Sequence, residues 1–243
     1  MKKKLAVVSL LVILLLAVAY FLFPGFVFNL AQRASWHSAG LEKKAVQVDN
    51  DRIVYLEGGK GETVLLLHGY TANKDCWVYF AKWLTPTHHV VIPDLPGFGD
   101  STKHLDENYD IDSQVKRLDR FAQALQLKKF HVAGNSMGGA IAAVYAARFP
   151  QKVSTLALLD TYGVITAKKS EFFLLWEKGV NILLVGSRAD FERVLDFVYF
   201  KPPWTPGAFK KVMVAQVRPT GNSTKKSAKT FAKKDWPWSL CCQ

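Results

Sequence analysis

Phe130-His131-Val132-Ala133-Gly134-Asn135-Ser136-Met137-Gly138-Gly139 is the stretch on which the reading of this chain turns. A short apolar run of strand composition passes directly into G-x-S-x-G, and an Ala- and Gly-rich segment of helical composition follows to Phe149. A serine flanked two residues away on each side by glycine can stand on a sharp strand-to-helix turn, because glycine removes the side chains that would collide there. Its hydroxyl is then expected at the carboxyl end of a sheet, where α/β proteins bind their ligands. The bare motif arises by chance in roughly one chain in ten of this length. The strand before it and the helix after it carry the signal.

Outward from this turn the pattern repeats. Thr63-Val64-Leu65-Leu66-Leu67 is a continuous apolar run of strand length, as expected for a parallel strand buried on both faces. Strands are also expected at 89–93 and 153–159, with shorter strand-like runs at 45–48 and 53–56. Asn73 or Asp75 can cap a helix reaching Leu84. Residues 111–127 have amphipathic helical spacing. Alternating strands and helices predict an α/β domain with a mostly parallel sheet covered on both faces. The rhythm stops near Thr166. The segments 171–176 and 191–198 look like short amphipathic helices, suited to a helical lid. The expected divisions are an anchor and linker over 1–40, a core over 41–164, a lid over 165–218 and an atypical tail over 219–243.

The 243-residue chain has a net charge of +12. From Phe209 onward eight cations face one acid, Asp235, so that stretch holds +7 of it. No zinc-finger, RNP-like or helix-turn-helix pattern accompanies the basic run, so nucleic acid is not expected as a partner. Cys76, Cys241 and Cys242 have neither disulfide-framework nor zinc-ligand spacing, and no metal is read from them.

Lys2, Lys3 and Lys4 precede residues 5–23, which are apolar apart from Ser9 and Tyr20, and Pro24-Gly25 follows. The run is long enough to span a bilayer as one helix. Ala17-Val18-Ala19 has the form of a signal-peptide cleavage site, but Phe26-Val27-Phe28 would leave a mature start apolar. The expectation is therefore an uncleaved signal anchor, a single pass with the catalytic domain in a periplasmic or other extracytoplasmic space.

The turn serine needs donors for a developing oxyanion. The residue after it, Met137, supplies one backbone N–H. The loop after the strand 63–67, His68-Gly69-Tyr70, supplies the other through Tyr70. His68 is read as a brace of that loop rather than as the base, since this strand end serves the oxyanion.

Together, Tyr55-Leu56-Glu57-Gly58-Gly59, His68-Gly69-Tyr70, Asn73-Lys74-Asp75, Pro93-Asp94-Leu95-Pro96-Gly97-Phe98-Gly99 and Gly134-Asn135-Ser136-Met137-Gly138-Gly139 resemble the α/β-hydrolase superfamily. Within it the chain is similar to membrane-anchored monoacylglycerol lipases and cold-adapted bacterial triacylglycerol lipases. Asp196-Phe197-Val198-Tyr199-Phe200-Lys201-Pro202-Pro203 resembles their lid region. The resemblance implies a serine carboxylic-ester hydrolase acting on acylglycerols or similar esters. Ser136 would be the nucleophile, Gly134 and Gly138 its elbow, and no cofactor would be needed. A lipid ester substrate and the membrane are the partners it implies.

The family's chain order is Ser, then Asp or Glu, then His. The histidines are His37, His68, His88, His89, His104 and His131, and none follows Ser136. Asp160 closes the run 153–159 and is read as a loop or cap residue. The last strands, the triad acid and the triad histidine are expected to be missing, with a frame break near residue 218 and impaired activity. Two other readings stay open. One is a different serine α/β-hydrolase, cleaving carbon–carbon bonds or acting like a cofactor-free haloperoxidase. The other is a non-catalytic, membrane-tethered pseudoenzyme.

Overall fold

The computed structural model describes residues 2–104, 106–164 and 168–217. The atypical tail and the frame break near residue 218 lie outside the described residues. Helices α1 (Lys2–Leu22) and α2 (Pro24–Ser38) precede strands β1 (Leu41–Val48), β2 (Asp51–Gly58) and β3 (Thr63–Leu67). Then come the short helix α3 (Val78–Ala81), β4 (His89–Pro93), α4 (Ile111–Ala124), β5 (Phe130–Asn135), α5 (Met137–Arg148) and β6 (Val153–Leu159). Helices α6 (Glu171–Glu177), α7 (Arg188–Val198) and α8 (Gly207–Val217) follow.

The sheet runs β1-β2-β4-β3-β5-β6. β4, β3, β5 and β6 pair in parallel, as the alternating pattern predicts. β1 and β2 pair antiparallel with each other, and β2 is antiparallel to β4. The sheet is therefore mixed rather than mostly parallel. The reason is local: Val48 pairs with Asp51, so only Asp49 and Asn50 separate the strands, and a two-residue loop can join only antiparallel neighbours. Asp49 takes the left-handed conformation, φ 51°, that such a turn demands.

Alternation along β3 divides the core. Leu65 and Leu67 face one apolar cluster with Val91, Val132, Phe121 and Ile141. Val64 and Leu66 face the other with Val90, Ile92, Trp77 and Trp36. Each wholly buried leucine contributes about 1.5–3 kcal/mol of transfer free energy. Helix α4 is laid on the first face by Ile111, Val115, Leu118 and Phe121, spaced three or four apart, and is opened by Asp110, which accepts from the Ser113 N–H at 2.7 Å. The helix expected up to Leu84 is shorter. It starts as a 3-10 turn, Lys74–Trp77, capped by Asn73, and α3 ends at Ala81. β6 lies at the sheet edge, and Leu156, Leu158 and Leu159 on it remain exposed.

Two compact units are present. One holds the described residues of Met1–Ser35 and Val185–Arg218, the other those of Trp36–Leu184. In the first, the Ala208 N–H donates to the Tyr20 hydroxyl at 3.3 Å, and the Tyr20 and Phe28 rings pack on Phe209 with centroids 5.8 and 5.4 Å away. Pro24 does not end the helical path. It opens α2, where its missing N–H costs nothing. Among the described residues no helix is long and apolar enough to cross a membrane. This corrects the expectations of a transmembrane signal anchor over 5–23, of the membrane as a partner and of single-pass, extracytoplasmic placement. Hydropathy alone read the run as lipid-facing; Tyr20 near its end packs on the chain's own α8, while Phe21, Leu22 and Phe23 are exposed.

Candidate active site

Ser136 joins β5 to α5 with φ 53° and ψ −116°, a backbone conformation that residues with a side chain rarely adopt. The neighbouring glycines make the bend possible. A Cβ on Gly134 would lie 2.1 Å from the Gly138 carbonyl oxygen. One on Gly138 would lie 2.3 Å from the Leu67 carbonyl oxygen. Hydrogen bonds hold the serine from both sides: its N–H donates to the Leu159 carbonyl at 3.0 Å, and its carbonyl accepts from Tyr162 N at 3.0 Å and from Ala140 N at 3.2 Å. The residue is half-buried. Met137 begins α5, where an N–H has no acceptor within the helix, while its side chain is buried in the core.

The loop after β3 meets this bend. A Cβ on Gly69 would be 3.3 Å from the Ser136 Cβ, so the backbone just before Tyr70 lies against the serine. The Ala72 N–H donates to the Gly69 carbonyl at 3.3 Å, closing a turn in which Thr71 has φ 60°. A β-branched residue there is a genuine outlier. Tyr70 is half-buried, with its ring edge-to-face with Phe98 at 5.8 Å. The five residues singled out in the sequence, Gly134, Ser136, Met137, Gly138 and Tyr70, thus come from two adjacent strand ends.

His68 is wholly buried. Its Nε2 accepts the Leu95 N–H at 3.0 Å, which leaves the proton on Nδ1 to be donated to the Gly69 carbonyl at 2.8 Å. Both ring nitrogens are thereby occupied by backbone. Burial holds the imidazole below its ordinary pKa, and nearby Lys74 adds to this, against the opposing pull of Asp94. The other histidines with named partners are His88 with Thr87, His89 with Glu57, His104 with Asp51 and His131 with Thr155. None of these pairings includes Ser136. Asp160, exposed at the end of β6, has φ 43°. Among the described residues no three His, Cys, Asp or Glu side chains are grouped to hold a metal ion.

Sequence reasoning missed a charge network beneath the two loops. Lys74 is 2% exposed and Asp94 is not exposed at all. Lys74 Nζ donates to Asp94 at 2.9 Å and to Asp100 at 3.0 Å. Burial pulls the ammonium pKa down, but the carboxylates of Asp94, Asp75 and Asp100 outweigh it and hold it raised. Burial would raise the Asp100 carboxyl, yet hydrogen bonds from Lys43 and Lys74 push it down to about 2. Burial raises Asp75, whose carboxylate accepts the Trp36 indole N–H. The one usable signal was a lysine and two aspartates within motifs at adjacent strand ends.

Residues 62–201 match the family described as alpha/beta hydrolase fold. The chain is 39% identical over 180 residues to Lipase 3 of Moraxella sp. (strain TA144), covering 72% of this chain and 57% of that protein. It is 40% identical over 187 residues to Lipase 1 of Psychrobacter immobilis, covering 74% and 58%. It therefore spans a little over half the length of these curated relatives. Among solved structures it is similar to a membrane phospholipase A described as a novel bacterial virulence factor, with TM-score 0.82 and 42% identity, covering 95% of this chain and 75% of that one.

Proposed function

Since this chain belongs to the α/β-hydrolase fold family, with lipases among its relatives, we propose that it carries the nucleophile half of a serine carboxylic-ester hydrolase acting on acylglycerols or similar esters. In this reading the Ser136 hydroxyl attacks the ester carbonyl carbon, the carbonyl oxygen becomes an oxyanion, and the alcohol leaves as an acyl-serine forms. The backbone N–H groups of Tyr70 and Met137 receive the oxyanion. The alcohol takes up a proton, and the serine loses one. No histidine follows Ser136 among the residues given, and His68 is occupied on both nitrogens, so no general base is assigned within them. Helix α6, within the lid expected over 165–218, would shelter an apolar acyl chain. Trp176 on α6 packs on the same core cluster as Met137 and supports that reading.

The observation that carries the proposal is the left-handed bend at Ser136, pressed against Gly69. The test is hydrolysis of a short p-nitrophenyl ester by the purified chain. The expected result is a slow release of p-nitrophenol that disappears in Ser136→Ala, since only the serine hydroxyl can form the acyl-serine. Release that Ser136→Ala leaves untouched would overturn the nucleophile assignment.

A further inference from the structure

His68 and Lys74 mark the two ends of the loop that carries Tyr70, and two adjacent residues hold both. Leu95 N–H grips His68 Nε2 at 3.0 Å. Asp94 grips Lys74 twice, its Oδ1 accepting the Lys74 backbone N–H at 2.7 Å and its Oδ2 accepting Nζ at 2.9 Å. The loop around Asp94 is wrapped to match: Asp100 N donates to Oδ2 at 2.8 Å, and Ser101 Oγ donates to the Asp94 carbonyl at 2.7 Å. A Cβ on Gly99 would fall within 2.4 Å of all three atoms of that carboxylate. Between the pinned ends sits the strained Thr71. A strained residue relaxes unless its surroundings over-determine it.

We propose that Lys74 and Asp94 are positioning residues for the oxyanion amide of Tyr70. This rests on the reading of Ser136 as nucleophile. The Gly69 carbonyl and the Tyr70 N–H belong to one planar trans peptide and point in opposite directions. His68 fixes that plane from the carbonyl side. The Lys74–Asp94 pair stops the turn from unwinding at its other end, which would swing the same plane and carry the Tyr70 N–H off its target. A charged pair suits this task because both carboxylate oxygens are engaged from one residue, once through backbone and once through side chain. The segment 68–74 is thereby fixed in both position and twist.

Either single substitution leaves a buried charge without its main partner and threatens the fold. The decisive variant is therefore the double substitution Lys74→Met with Asp94→Asn, which removes both charges and keeps an oxygen acceptor for the Lys74 N–H. Two measurements are made on the whole chain: hydrogen exchange of the peptide spanning 68–77, and the rate at which Ser136 is labelled by a fluorophosphonate. Exchange in that peptide is expected to rise about tenfold while peptides of β5 and α5 are unchanged, and labelling is expected to slow on the order of tenfold, less than loss of a whole oxyanion donor. Lys74→Arg with Asp94 intact should recover much of the labelling rate. A folded double variant with wild-type labelling overturns the positioning role and leaves the nucleophile standing. A folded wild type whose Ser136 does not react overturns the nucleophile reading, and the positioning role falls with it.

Discussion

On one side of β5 lies β3, whose Leu65, Leu66 and Leu67 are wholly buried. On the other lies β6, whose Leu156, Leu158 and Leu159 are 39%, 46% and 39% exposed. Ser136 stands at the end of the strand between them. From the β3 side it is confined by backbone at contact distance and by a loop pinned to buried charges. From the β6 side it is held by two backbone hydrogen bonds, to Leu159 and Tyr162. The buried charges lie on the β3 flank. Among the described residues the other flank is an uncharged strand edge.

The sharpest way to break this contrast is Asp94→Ala. It strands Lys74, 2% exposed, without its main partner, and is expected to cost about 3–5 kcal/mol in denaturant unfolding. A loss near zero would mean that the β3 flank is not anchored by charge. The same chemical change can then be made on both flanks. Leu66→Ala should cost about 2–5 kcal/mol, because the cavity it leaves cannot collapse. Leu158→Ala should stay within about 0.5 kcal/mol, as surface changes do. Equal losses would erase the distinction between the two flanks.

The contrast was only partly legible in the sequence. The buried run at 63–67 and the elbow glycines announce themselves, because few side chains tolerate those places. The mixed sheet hinged on Asp49 and Asn50, a two-residue connection too inconspicuous to weigh beside the βα rhythm. The spanning helix over 5–23 was read from hydropathy, a local sum that carries no information on contacts such as that of Tyr20 with Phe209, far along the chain. The Lys74–Asp94 pair was hidden for a related reason. A buried lysine is affordable only beside its acid, and pairing across two loops is a property of the fold.

A smaller effect probes the bend itself. Ser136→Gly removes the Cβ from a left-handed backbone, which should stabilise the chain by about 1–2 kcal/mol while ending any serine-dependent reaction. The thermal midpoint measures it. Unchanged or lowered stability would show that the serine is not strained there.

The smallest expected effect is a pH slope from His68. Its folded-state pKa lies below the ordinary 6.5 because burial disfavours the imidazolium. Below pH 6.5 the unfolded chain takes up a proton that the folded chain refuses, so this contribution to stability is present at higher pH and is lost as pH falls. Between pH 7.5 and 6 the change should be under about 1 kcal/mol. Asp100 has the same sign in a different window. Its carboxyl, held at about 2, contributes above the unfolded value of 3.8 and loses that contribution only as pH drops toward 2. Thermal midpoints of wild type and His68→Gln between pH 7.5 and 6 separate the two. If both chains have the same slope there, His68 does not carry the titration, and the neutral ring bridging Leu95 to Gly69 is not what ties the β3 loop to its neighbour.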